Sequence, residues 1–365
     1  MGAFGLEHGD VAFESVGALT FGPADILFVA DIRRAAIVAL DVADAGSEGA
    51  AEPFELHDLD SHLASYLGCG VDDVHIADLA VHPRTQNVYL SVTRGSGDAA
   101  VPVIVRISRH DGSVSAVDLK GIAFSEVALE DPPSAGDERL DMYVAYGDEG
   151  ELVKFGEREF RLVRNPIRTA SITDIKYVDG TLFVAGLSNE EFASTLRRIP
   201  FPFAADSAAN SLEIFHVSHG VWETAAPIRT FAPYGDGSSI IASYTCTPLV
   251  TFPLGDLRPG AHVKGTTVAE LGSGNTPLDI VSFMQDGQEH LLVSNSTRPL
   301  VKIACSDIDR QEPLTQPRFP EGAPRQEPGY KGVGRMDALN DDFILAIQLG
   351  DDGRRHLHSL STASL

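Results

Sequence analysis

Six times along the chain a short apolar strand, a polar turn and a second apolar strand follow one another. The copies are VGALTFGPADILFVAD from Val16, IADLAVHPRTQNVYLSV from Ile76, ITDIKYVDGTLFVAGL from Ile172, PIRTFAPYGDGSSIIASY from Pro227, PLDIVSFMQDGQEHLLVSN from Pro277 and GRMDALNDDFILAIQL from Gly334. One such unit cannot bury an apolar face by itself. A series of them can, by packing face to face around an axis as the blades of a β-propeller. The first strands centre on Leu19, Leu79, Ile175, Thr230, Ile280 and Ala338, at steps of 60, 96, 55, 50 and 58 residues. The step of 96 is nearly twice the others, which predicts a divergent blade built from DMYVAYG at Asp141 and LVKFG at Leu152. The expectation is an all-β fold, a seven-bladed β-propeller forming one domain over residues 1–365, with a repeat of about 53 residues. Six blades would leave an unusually long stretch without structure. The chain ends, 18 residues before Leu19 and 27 after Ala338, together nearly fill a blade. DVAFESV near Asp10 is therefore expected to close the ring as the outer strand of the last blade, removing an exposed edge.

The remaining composition suits this fold and limits the partners. Helical periodicity is confined to residues 60–67 and 190–197, both predicted as short helices between strands. With 52 acidic and 28 basic side chains the net charge is −24, a field that repels phosphate backbones and argues against nucleic acid. No apolar run is long enough to span a membrane. No leader is visible in MGAFGLEHGDVAFES, so the sequence as written is expected to be cytoplasmic, or periplasmic or secreted if a leader has been removed. Three cysteines, none in a CxxC pair, are expected to be reduced, with Cys305 packed in a strand and Cys69 on a loop.

Superimposing the copies brings Asp78, Asp174, Asp279 and Asp337 to one position, where the fourth full copy carries Arg229. Inner strands converge on the propeller axis, so these residues are expected to ring the channel. Four carboxylates there either surround positive charge or bond backbone N–H groups of the next blade as clips. At the exit of the second strands stand Asp31, Thr93, Ser188 with Asn189, Tyr244 with Cys246, Asn295 with Ser296, and Gln348, a polar rim suited either to binding or to turn formation.

His75 precedes Asp78 by three residues, and the loop IFHVSHGVWETAAPIRTF carries His216, His219, Trp222 and Glu223. His75, His219 and Glu223, supplemented by Cys246 or Asp78, have the donor types that hold zinc, iron or copper, with His75 or His219 as general base and Tyr244 as a further catalytic group. His356 and His358 alternate on an outer strand, His82 falls at a turn, and His57, His62, His110, His262 and His290 lie in no partner motif. No GxSxG, HExxH, GxGxxG or GK[ST] motif occurs.

The segments LTFGPADILFVADIRRAAIVALD and LLVSNSTRPLVKI resemble blades of the NHL and SMP-30/gluconolactonase type. That resemblance implies an axial calcium- or zinc-type divalent ion used by lactonases, related esterases and some lyases, with Asp31, Asn189 and Asn295 at the ligand positions. The family's glutamate at the first-blade start has no counterpart, since Gly17 and Ala18 stand there. GLSNEEFASTLRRIPFPF and SYTCTPLVTFPL also resemble a family of uncharacterised bacterial propeller proteins. The expected function is a metal-dependent enzyme acting on a small molecule, either hydrolase or lactonase-like or a His-ligated redox oxidoreductase. The alternative is a non-catalytic propeller that binds a protein or peptide.

Overall fold

The computed structural model describes residues 3–155, 158–204, 208–246, 248–317 and 321–365, so Gly156 of LVKFG lies outside the described residues. The protein is an all-β propeller. All six repeats fold as anticipated, each beginning with an inner strand: Leu19–Phe21 in blade I, Val74–Val81 in II, Asp174–Val178 in III, Ile228–Tyr234 in IV, Pro277–Gln285 in V and Val333–Asn340 in VI. Each inner strand pairs antiparallel with the strand that follows it, as in Asp174 opposite Ala185 and Asp279 opposite Ser294. No helix among the described residues is long and apolar enough to cross a membrane.

Inner strands adjoin in the order I, III, IV, V, VI, II and back to I. An apolar cluster fills each of the six junctions. Phe28 and Ile37 of blade I meet Ile175 and Val184 of III, Phe183 and Leu196 of III meet Phe231 and Phe252 of IV, and Ile241 of IV meets Leu291 and Val293 of V. Val281 of V then meets Met336 and Ile344 of VI, Leu345 of VI meets Val88 and Leu90 of II, and Tyr89 of II meets Val29 and Val38 of I. Fully burying a side chain of this size contributes roughly 1.5–3 kcal/mol, so the junctions carry most of the fold's stability.

Two expectations change. Seven sheets are present, and the segment at Asp141 does form strands, but they do not enter the ring. Leu140–Val144, Glu151–Phe155 and Arg158–Pro166 make a three-stranded sheet with the last strand in the middle. The long step between Leu79 and Ile175 holds this sheet, the outer strands of blade II, and a strand, Ile122–Ala128, that returns to pair with Ala36–Asp41 of blade I. Spacing counted residues correctly but could not reveal that the chain doubles back. The N-terminal strand, Glu7–Gly9, pairs with the returning strand at the edge of blade I rather than with blade VI. On blade VI the outer strand is bridged instead by Leu56 opposite Leu357.

The first predicted helix forms, as Leu59–Leu67. The second does not, because Ser194–Pro200 is a strand along Thr181–Leu187, and pairing with a buried neighbour overrides local helix propensity.

The four aspartates act as clips between blades. One oxygen of each accepts a backbone N–H from the next blade in the ring: Asp78 from Leu19 at 2.8 Å, Asp174 from Phe231 at 3.0 Å, Asp279 from Met336 at 2.9 Å and Asp337 from Val81 at 2.7 Å. In three of them the other oxygen accepts the N–H of the following residue. Removing a buried charged acceptor leaves an amide unpaired, at a cost of about 1.5–3 kcal/mol. Asp174→Ala is therefore expected to lower the unfolding free energy by about 2 kcal/mol in a denaturant titration, with Asp174→Asn falling between the two.

Burial pushes Asp279 up to about 7, with Lys176 opposing, and pushes Asp337 up to about 6, with the Val81 N–H and Lys176 opposing. The folded chain thus takes up protons at these sites where the unfolded chain, near 3.8, does not. Their contribution to stability is fully present below pH 4 and is lost as pH rises through about 6 to 7. In Asp279→Asn the part of this slope due to Asp279 should vanish when stability is compared across pH 5 to 8.

Candidate metal centre and the covered axis

The axis carries its own cations. Lys176, two residues after Asp174, places Nζ 3.7 Å from Asp174 and 3.9 Å from Asp279. Arg335, two residues before Asp337, reaches within 3.9 Å of Asp78 and donates to the carbonyl of Leu278 at 2.5 Å. Burial works against the Lys176 charge, but Asp174, Asp279, Asp78 and Asp337 together outweigh it and hold the ammonium well above the ordinary lysine value. Arg335 is raised in the same way, by Asp78, Asp279 and Asp174 against burial. The ring is thus balanced in part by protein groups, which weakens the case for a resident ion there.

Arg229 is not one of those groups. Its guanidinium forks onto both oxygens of Asp141 in the three-stranded sheet, at 2.6 and 2.8 Å, and bonds Thr245. Val144 N–H donates to Thr276 at 2.9 Å and Tyr146 O–H to the carbonyl of Gly332 at 2.6 Å. The sheet is therefore tied to the starts of blades IV, V and VI, over the channel mouth where the polar rim was expected to be open. Both partners of the Arg229–Asp141 pair are less than a tenth exposed. Arg229→Ala leaves the carboxylate buried and unpaired, a loss of about 3–5 kcal/mol for such a pair. Hydrogen exchange should then accelerate in 140–166 while the inner strands stay protected.

The rim residues serve their own loops. Asp31 is fully buried and accepts from the N–H groups of Glu14, Ser15 and Arg34 and from the Ser15 hydroxyl. Asn189 accepts from Arg139 at 3.1 Å. Asn295 accepts from Asn275 and donates to the carbonyls of Val293 and Pro299. No hydrogen bond joins any two of these three. Tyr244 is buried in the III–IV cluster, and burial holds its phenol far above the usual value. His75 is exposed on blade II, paired through its backbone strand with Thr93, and its side chain makes no hydrogen bond among the described residues.

His219, Glu223 and Cys246 do converge, and His216 and Glu270 join them. His216 ends the strand Ala208–His216, a tight turn places His219 three residues on, and Val221–Glu223 pairs back on that strand. Glu223 Oε1 lies 2.9 Å from Nδ1 of both histidines, whose ring centroids are 3.9 Å apart with the planes tilted by 35°. One carboxylate oxygen thus orients two imidazoles and leaves both Nε2 atoms to face elsewhere, as outer-sphere carboxylates do around histidine-bound metals. Burial opposes the Glu223 charge, but the bonds from His216 and His219 prevail and hold its carboxyl below the usual range.

Cys246 comes from the turn after the second strand of blade IV, in the left-handed region at φ 64°, with its N–H on the carbonyl of Asn275. A non-glycine residue held there costs about 1–2 kcal/mol. One ligand atom from each of His216, His219 and Cys246 lies within 4.8 Å of the others. Glu270, at the end of the fourth strand of blade IV, Thr266–Glu270, is fully buried with Oε1 3.9 Å from His216 Nε2. Neither Glu270 oxygen nor His216 Nε2 is satisfied by a well-aligned hydrogen bond, although the backbone N–H groups of Ser218 and Val217 lie close enough to favour the Glu270 charge. Burial, added to by Glu223, pushes the Glu270 carboxyl up to about 8, although the backbone of Ser218 and Val217 and the charge of Arg325 moderate it. Burial also raises the Cys246 thiol, with Glu270 and Glu223 adding to it. Orphaned buried acceptors facing an orphaned imidazole nitrogen and a thiol form the donor set a zinc-class cation would satisfy.

Comparison with known proteins returns only distant likenesses. No family model and no curated protein matches the sequence. Among solved structures the chain is similar to the PQQ-bound aldose sugar dehydrogenase of Streptomyces coelicolor, at 14% identity over 97% of this chain and 96% of that one with a TM-score of 0.39. It is similar to the propeller domain of Cps50 (Swd1) from Myceliophteria thermophila, at 10% identity over 95% and 84% with a TM-score of 0.40. A third is streptogramin B lyase, at 12% identity over 97% and 96% with a TM-score of 0.33. Likeness of this degree carries no residue or reaction across to this chain.

Proposed function

We propose that the protein is a metal-dependent enzyme whose ion is held where blades III and IV meet, away from the axis, and which hydrolyses a small molecule. The observation that carries this reading is the shared carboxylate of Glu223, which turns two imidazoles toward a thiol and a buried, unpartnered carboxylate. His216 Nε2, His219 Nε2 and Cys246 Sγ are the three ligands, and imidazole and thiolate together favour zinc over calcium. A divalent ion bound there would polarise a carbonyl and lower the pKa of a bound water. Glu270 Oε1, 3.9 Å from His216 Nε2, would accept a proton from that water once a bound cation had ionised its carboxyl. His219, half-exposed, leaves the site open to a substrate from solvent. The lactonase-like oxygen site gains no support from Asp31, Asn189 and Asn295, whose side chains are already engaged.

Protein purified without chelator is expected to contain about one zinc-class ion per chain by elemental analysis. His216→Ala and Cys246→Ala should remove it, while His75→Ala and Asp31→Ala retain it. Glu270→Gln should keep the ion and lose the chelator-sensitive part of hydrolysis across a lactone and ester panel. A stripped protein whose melting temperature ignores added zinc, cobalt, copper and iron would overturn the reading, because an ion that binds only the folded state must stabilise it.

The non-catalytic alternative draws on one feature, the sheet over the channel mouth. It exposes more than half of Leu140, Met142 and Leu152. A metal-free protein, inactive across the panel, would favour it.

A further inference from the structure

The outer strand of blade III carries a second group of reactive side chains. Along Ala208–His216, Leu212 and Ile214 point into the core while Ser211 and Glu213 alternate with them on the other face. The strand His262–Lys264 pairs parallel to it, with Ser211 beside His262 and Glu213 beside Lys264. Ser211 Oγ lies 2.9 Å from His262 Nδ1, and His262 Nε2 lies 2.9 Å from Glu213 Oε2. Lys264 Nζ is 3.1 Å from the same carboxylate oxygen. Burial opposes the Glu213 charge, yet the bonds from His262 and Lys264 hold its carboxyl below the ordinary range. An ionised Glu213 takes the Nε2 proton as its partner. Nδ1 is then bare, and the Ser211 hydroxyl donates to it.

Nucleophile, base and orienting carboxylate therefore stand in hydrogen-bonded sequence, the relation by which a serine is activated whatever the fold. The surroundings are apolar and open. The Phe192 ring lies 4.8 Å from the His262 ring, and Lys264 Nζ sits 4.5 Å over Trp222. Phe192, Val221 and Trp222 are each 44–49% exposed. A tie between two strands needs none of these exposed rings.

We propose that Ser211, His262 and Glu213 form a nucleophilic hydrolytic site for small uncharged esters whose acyl or aryl part rests on Phe192 and Trp222. Ser211 Oγ bonds to the ester carbonyl carbon as its proton passes to His262 Nδ1, and Lys264 is the nearest cation to the oxyanion. The bond to the alcohol oxygen breaks, and His262 returns the proton to that leaving group. Water, giving its proton to His262, then cleaves the acyl bond to Ser211, releasing the carboxylic acid and restoring the serine. This site shares no residue with the metal centre.

The test uses the full chain with diisopropyl fluorophosphate and p-nitrophenyl butyrate, before and after chelation. The expected result is one phosphoryl adduct per chain, mapped to Ser211, and ester hydrolysis that survives chelation. Ser211→Ala should lose the adduct and slow hydrolysis at least about 100-fold, the lower end of a general-base contribution. His262→Ala should do the same. Glu213→Gln should slow it less and move the pH profile, a change that a purely structural role would not produce. The inference is overturned if folded wild-type protein takes no label at Ser211, or if Ser211→Ala hydrolyses the ester at the wild-type rate. Hydrolysis that vanishes on chelation overturns it too, by assigning the activity to the metal centre. Should Ser211→Ala fail to fold, the wild-type adduct map decides the matter alone.

Discussion

Every blade junction around this ring must hold two sheets in register, and four of the six do so through an aspartate whose carboxylate accepts a backbone N–H from the next blade. Apolar packing alone is non-directional and would not fix that register. Directional bonds from buried charged acceptors do fix it. The consequence is electrostatic. Carboxylates that clip blades together also crowd the axis, so the sequence supplies Lys176 and Arg335 on the same strands. At about 4 Å and an effective dielectric near 20 such a pair attracts by roughly 4 kcal/mol, comparable to the several kcal/mol of burying each ion. The channel is consolidated in part by its own charges.

The repeats were legible because each copy carries its pattern within some twenty residues, and all six inner strands lie where the alternation placed them. What was not legible is the order of the blades. Nothing local in GIAFSEVALE states that Ile122–Ala128 returns to blade I after blade II is complete, since that choice is made by the free edge of Ala36–Asp41. The segment around Asp141 reads as strand and is strand, but its partners are the blade starts at Arg229, Thr276 and Gly332. A count of residues between repeats cannot separate a seventh blade from a sheet laid across the ring.

The metal centre divides along the same line. His219 and Glu223 stand four residues apart in one loop, and Cys246 sits at the strand exit where a binding rim was expected. Glu270 could not be chosen, because it is one glutamate among many at a strand end, and its importance comes from being buried without a partner. Lys176 and Arg335 are a different matter. Each stands two residues from an axial aspartate, and the two-residue period of a strand puts such neighbours on one face, so the axial cations were readable. Arg229 was misplaced because superposition gives a position along the strand but not the direction of a long side chain, which follows Asp141.

With the axis filled by clips and a sheet tied across three blade starts, the two side-chain groups proposed as sites lie outward, on blade III. Its sheet extends beyond the four strands of blade II by Val221–Glu223 and the parallel His262–Lys264. The single strand Ala208–His216 therefore has neighbours along its whole length. At its end His216 meets Glu223 and Glu270, and midway Ser211 and Glu213 meet His262. Both groups depend on the same physical circumstance. A strand pinned on its buried side by Leu212 and Ile214 holds its alternate residues rigidly outward, which is the preorganisation that ligating and nucleophilic side chains require. Loops on the rim, by contrast, spend their polar groups on their own turns. The outer strand of blade III, not the channel mouth, is where this propeller combines fixed geometry with access to solvent.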